Sequence, residues 1–128
     1  MESLQTPRFQ LAMRLLFWLA LIFAIVMADL PQPPTLPIDS YGDKFQHILA
    51  FSTLAALAAL GFPGTPRWLV AERLSFLGAL IEVTQSIPAL QRDCDIRDWI
   101  ADTLAIIVVT AIMGLLLQRK GPAASVPD

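Results

Sequence analysis

Three ionisable residues, His47, Glu82 and Asp102, stand inside stretches of the chain that are largely apolar. Each lies roughly one to one and a half helical turns, about 6 to 8 Å, inside the end of its apolar block. An ionised carboxylate facing hydrocarbon costs about 2.5 to 3.5 kcal/mol, so such side chains turn inward and pair. One shared, water-accessible pocket satisfies all three. Further polar residues surround them at helical spacing. Asp43 and Lys44 open the block that holds His47, and His47 shares a helix face with Asp43, four residues before it. Glu82 and Gln85 are three apart, and Asp95, Asp98 and Asp102 recur at spacings of three and four, an acidic stripe if the last helix begins early. Arg92, Asp93 and Arg97 add charge to the segment before it.

These residue types admit three chemistries. In the first, Lys44 and Arg92 hold an anionic group by charge-assisted hydrogen bonds while Gln85 and the acids orient hydroxyls or amides, which makes a binding protein. In the second, His47 acts as a general base oriented by Glu82 or Asp98, and the same groups hold a divalent cation through one imidazole and several oxygens. Hydrolysis or group transfer with activated water is the reaction class of that enzyme. No nucleophile elbow, H-E-x-x-H pair or Gly-rich phosphate loop occurs. In the third, the carboxylates and the histidine relay protons or cations, but Ala50 to Leu60 and Ile106 to Leu117 contain no titratable residue to continue such a path. Each residue also has a plainer reading. Asp43 and Lys44 serve as a helix-start acid and an interfacial anchor, Trp68 and Trp99 as interfacial anchors, and Asp93 and Arg97 as solvated loop charges. An ion pair at Glu82 that only fixes helix packing satisfies the same geometry.

The elements that position these residues are helices in lipid. Of the 128 residues, 55% are apolar and 16% charged, with mean hydropathy +0.60, and the apolar residues lie in long blocks. The pattern predicts an all-α integral membrane protein, multi-pass, with four transmembrane helices over about 9–28, 45–62, 68–87 and 99–117. The third is the most interrupted, by Glu72 and Arg73 near its start and Glu82 and Gln85 near its end. Pro31, Pro33, Pro34 and Pro37 keep the first connection extended, Pro63, Gly64 and Pro66 make the second a short turn, and Pro88 closes the third helix. The chain reads as one domain, 1–128, with 121–128 as a flexible tail.

Six of the nine basic residues, Arg8, Arg14, Arg67, Arg73, Arg119 and Lys120, fall on one side, against Lys44, Arg92 and Arg97 on the other. That places both termini in the cytoplasm and the ionisable cluster at the outer face. Arg8 and Arg14 ahead of the first block, with Val26-Met27-Ala28 at its end, also resemble a signal peptide, which leaves the later helices in the same orientation. A net charge of -2 with no basic stripe gives no electrostatic footprint for nucleic acid. The single cysteine, Cys94, allows no internal disulfide and no thiolate-rich metal site.

Taken in order, Asp43-Lys44-Phe45-Gln46-His47, then Glu82-Val83-Thr84-Gln85, then Arg92, Asp95 and Asp98 resemble the VanZ-like family of small bacterial membrane proteins. That family's pattern is D-K-x-x-H, E-x-x-Q and an R-x-x-D-x-x-D-like run into the final helix, and the resemblance covers about Asp43 to Leu117. The family typically has Asn where this chain has Asp102. The resemblance implies a bacterial inner-membrane location, and the family is named for a member associated with low-level resistance to the glycopeptide antibiotic teicoplanin; the pocket residues themselves suit a polar cell-envelope component at the outer leaflet, such as a lipid head group or lipid-linked precursor. It supplies no reaction.

Overall fold

The computed structural model describes residues 6–31, 35–90 and 94–118. Among them are four long helices, α1 (Pro7–Asp29), α2 (Asp43–Gly61), α3 (Arg67–Gln85) and α4 (Ile96–Gln118). Local chemistry sets their ends. Pro7 occupies the first turn of α1, where a missing N–H is harmless, and Thr6 Oγ1 accepts from the Phe9 amide at 3.3 Å. Gly42 precedes α2 at φ 90°, a left-handed conformation in which a Cβ is strained. Asp95 starts α4, its Oδ1 accepting from the Arg97 amide at 2.9 Å. Helix α4 therefore begins three residues before the expected 99, which brings Asp98 onto it and leaves Asp95 as its cap. Helix α3 ends at Gln85, ahead of the expected 87, and Pro88 opens a short 3-10 turn rather than ending the helix itself.

The helices run alternately up and down. Arg14, early in α1, meets Gly61 at the end of α2, and the ends of α1 and α3 meet through Gln85 and Ala28. His47 and Asp102, each near the start of its helix, meet between α2 and α4. Helices α2 and α4 make the central pair, with α1 packed chiefly on α2 and α3 chiefly on α4. The core is built from one stripe on each inner helix: Phe51, Leu54, Ala55 and Ala58 of α2, Val70, Leu74 and Ile81 of α3, and Ile106 of α4. Steps of three and four keep each set on one face. The polar residues His47, Glu82 and Asp102 continue those stripes toward one end of the bundle, so packing that buries the core also brings them together.

Large apolar side chains cover the outside, among them Leu15, Leu19 and Phe23 of α1, Phe76, Leu80 and Val83 of α3, and Leu104, Val108 and Leu115 of α4, while α1 has no buried residue. An apolar exterior of this extent is the surface of a protein in lipid rather than in water. Helices α1, α2 and α4 are long and apolar enough to cross a membrane, and they point to a membrane protein. Helix α3, as long as α2 but carrying Arg67, Glu72, Arg73 and Glu82, does not qualify on composition.

The end opposite the polar cluster is basic. Arg14 Nε donates to the Gly61 carbonyl at 2.6 Å and its guanidinium lies 5.3 Å from the Phe62 ring, so a cation faces the negative end of α2. Arg67 lies across Gly114 near the end of α4, where its guanidinium fills the space a Cβ would take. A Cβ at Gly61 would sit 3.0 Å from the Arg14 backbone nitrogen and 3.2 Å from the Met13 carbonyl carbon. Gly61→Ala therefore forces α1 off α2 and lowers stability by about 1–3 kcal/mol, whereas Gly114→Ala only displaces a flexible arginine and changes stability by less than about 0.5 kcal/mol. Unfolding midpoints in detergent check this, and equal effects of the two substitutions would contradict the close α1–α2 contact.

Candidate functional site

The site lies where the three inner stripes end. His47 stands one turn into α2, Glu82 one turn before the end of α3, and Asp102 six residues into α4. One donor atom from each side chain lies within 4.8 Å of the other two. His47 Nδ1 is 3.3 Å from Asp102 Oδ2, and the two side chains are 14% and 1% exposed. Glu82 Oε2 accepts from the Asp95 backbone amide at 3.0 Å, so the cap residue of α4 also ties the α3 carboxylate to that helix. Each acid has a second oxygen to satisfy. Glu82 Oε1 and Asp102 Oδ1 are buried with no hydrogen-bond partner among the described residues. A buried polar atom left so costs about 1–3 kcal/mol, more when charged, so the arrangement calls for a donor or a cation.

Above the three, Lys44 Nζ faces Asp98 Oδ1 at 3.6 Å. Lys44 is half exposed and Asp98 largely covered, so the pair marks the boundary between the site and solvent. Its contribution to stability is at most about 1 kcal/mol. Gly78 of α3 faces the same space, and a Cβ there would stand 3.5 Å from Asp102 Oδ2 and from Phe51 Cζ.

The remaining candidates divide. Gln85 is buried and its amide donates to the Ala28 carbonyl at 3.0 Å, while Thr84 Oγ1 donates to Asp29 Oδ1 at 2.7 Å. These bonds fasten α3 to the end of α1, which thus supports the site from behind. Asp95 contributes its backbone amide to Glu82 and its carboxylate to the α4 cap. Asp43 begins α2. Arg92 and Asp93 lie outside the described residues. Trp99, expected to be an interfacial anchor alone, is half-buried and donates from Nε1 to the Ser75 carbonyl at 2.9 Å. With the Ser75–Thr103 hydroxyl pair at 2.9 Å, it clamps α3 to α4 one turn from Asp102. The i, i+4 spacing of Trp99 and Thr103 was the signal for a shared face, and nothing in one dimension says which helix that face meets.

Cys94 is exposed before α4. Desolvation and then the Glu82 carboxylate push its thiol above the usual range, which disfavours the thiolate. No family model matches the chain, and neither the curated proteins nor the solved structures give a match.

Proposed function

We propose that the chain is a VanZ-like membrane protein of the bacterial inner membrane, with four spans and cytoplasmic termini. Its polar centre, at the outer face, binds the head group of an envelope lipid or a lipid-linked precursor. One observation carries the binding reading: two buried carboxylate oxygens, Glu82 Oε1 and Asp102 Oδ1, lack a partner among the described residues, and the half-exposed Lys44 faces Asp98 beside them. A head group that brings hydroxyl or amide donors to the acids and an anionic group to Lys44 satisfies both levels at once. Four spans are supported by Phe76, Leu80 and Val83, which make the outer face of α3 apolar, and by Glu72 and Arg73, which sit near its basic end. The association of the resembling family's namesake with glycopeptide resistance fits a protein that engages a cell-wall precursor. A second reading rests on the His47–Asp102 contact: an imidazole held by a carboxylate is a general base, and the same pocket would then hydrolyse or transfer part of the lipid.

Orientation is read most simply through the lone cysteine. A membrane-impermeant maleimide applied to spheroplasts labels Cys94 from outside, and because the thiol is shifted up, labelling accelerates only in alkaline buffer. Labelling only after permeabilisation would invert the topology. Head-group binding is tested by native mass spectrometry of the detergent-purified protein. The wild type retains an envelope lipid, and Lys44→Ala and Glu82→Gln, each monodisperse and fully helical, retain about tenfold less. Unchanged occupancy in both variants would contradict the assignment.

A further inference from the structure

We propose that His47, Glu82 and Asp102 form a binding site for one first-row transition-metal dication of the Mn²⁺ or Zn²⁺ class. The two carboxylates come from different helices and are both buried, within 4.8 Å of the same imidazole. Left to themselves, like charges at this distance and depth repel and are poorly solvated. The nearest lysine, Lys44, is engaged 3.6 Å from Asp98 at the rim. A dication neutralises both carboxylates and leaves the imidazole neutral, which is the protonation state that ligates.

The distances favour the same reading. The 3.3 Å between His47 Nδ1 and Asp102 Oδ2 is long for a charge-assisted N–H···O bond, about 2.7–2.9 Å. Two donors bound at about 2.1 Å to one ion stand about 3.0 Å apart at a right angle and about 3.4 Å apart at the tetrahedral angle, and this pair falls between. The full triad, within 4.8 Å, closes onto an ion by side-chain movements of about 1.5 Å or less. The Asp95 amide holds Glu82 Oε2, while Glu82 Oε1 and Asp102 Oδ1 have no hydrogen-bond partner among the described residues and can ligate. One nitrogen and two carboxylates suit Mn²⁺, Fe²⁺ or Zn²⁺, whereas Ca²⁺ requires about six to eight oxygens.

Three protein ligands leave coordination positions open. In this site those positions would take a phosphate or carboxylate oxygen of the ligand, a step that rests on the head-group reading; metal binding itself does not.

The test uses the full-length protein in detergent, without a histidine tag, stripped by a chelator and then titrated with Mn²⁺ alone and Zn²⁺ alone. The chain contains one histidine, so an imidazole signal has one source. The expected result is about one ion per chain, a ¹⁴N imidazole coupling in the pulsed EPR spectrum of bound Mn²⁺, and displacement of Mn²⁺ by Zn²⁺ but not by Ca²⁺. Glu82→Gln and Asp102→Asn, with helical content unchanged, weaken binding about tenfold or more, since even residues that only support a metal ligand cost about 10–100-fold. Absence of stoichiometric binding, or bound Mn²⁺ without ¹⁴N coupling, overturns the proposal, and the wild-type spectrum decides it if a variant fails to fold. Metal bound by protein that retains no lipid would leave this site standing and sink the head-group reading; lipid retained without metal would do the reverse.

Discussion

Burying two carboxylates and an imidazole at one level of an apolar helix bundle is the constraint on which the rest of this structure turns. Each group alone is costly in hydrocarbon, and only convergence relieves the cost. Convergence needs three helices in fixed rotation and fixed vertical register. The buried stripes supply the rotation, because His47, Glu82 and Asp102 each lie on the face of their helix that also carries the core. Ties near the site supply the register: the Asp95 amide to Glu82, Trp99 to Ser75, and Gln85 to the end of α1.

The two ends of the bundle are electrostatically opposite. Acids gather where α4 begins, and Arg14 and Arg67 lie where α2 and α4 end, so side-chain charge complements the helix dipoles there. This arrangement helps to hold the central α2–α4 pair, in which the buried Thr110 hydroxyl bonds to carbonyls of its own helix. It also explains why the site can be polar without being a path. Beneath it lie Phe51, Leu54 and Ile106, buried and without titratable groups, so no relay continues through them.

Much of this was legible in the residues. Block length and proline punctuation located the helices to within a few residues, because an apolar run must be helical in lipid and X-Pro disfavours helix. Depth marked the three central residues, since distance from a block end converts directly into height. The polar ties were not legible. Gln85 has the character of a ligand-binding residue until the end of α1 is seen to need its amide, and Trp99 has that of an anchor until Ser75 is placed opposite. Such pairings depend on the rotation of one helix against another, which a one-dimensional pattern leaves open. Asp102, which departs from the Asn of the resembling family, is the most buried of the described acids.

The central claim is that His47 is held between Glu82 and Asp102 inside the bundle. The most direct measurement is the ¹⁵N spectrum of the protein labelled at its one histidine and reconstituted in bilayers. The account predicts that Glu82→Gln and Asp102→Asn each shift the His47 ring nitrogens while Asp95→Asn, which keeps the backbone amide, leaves them nearly unchanged. Ring signals typical of a solvent-exposed imidazole and insensitive to both substitutions would contradict it.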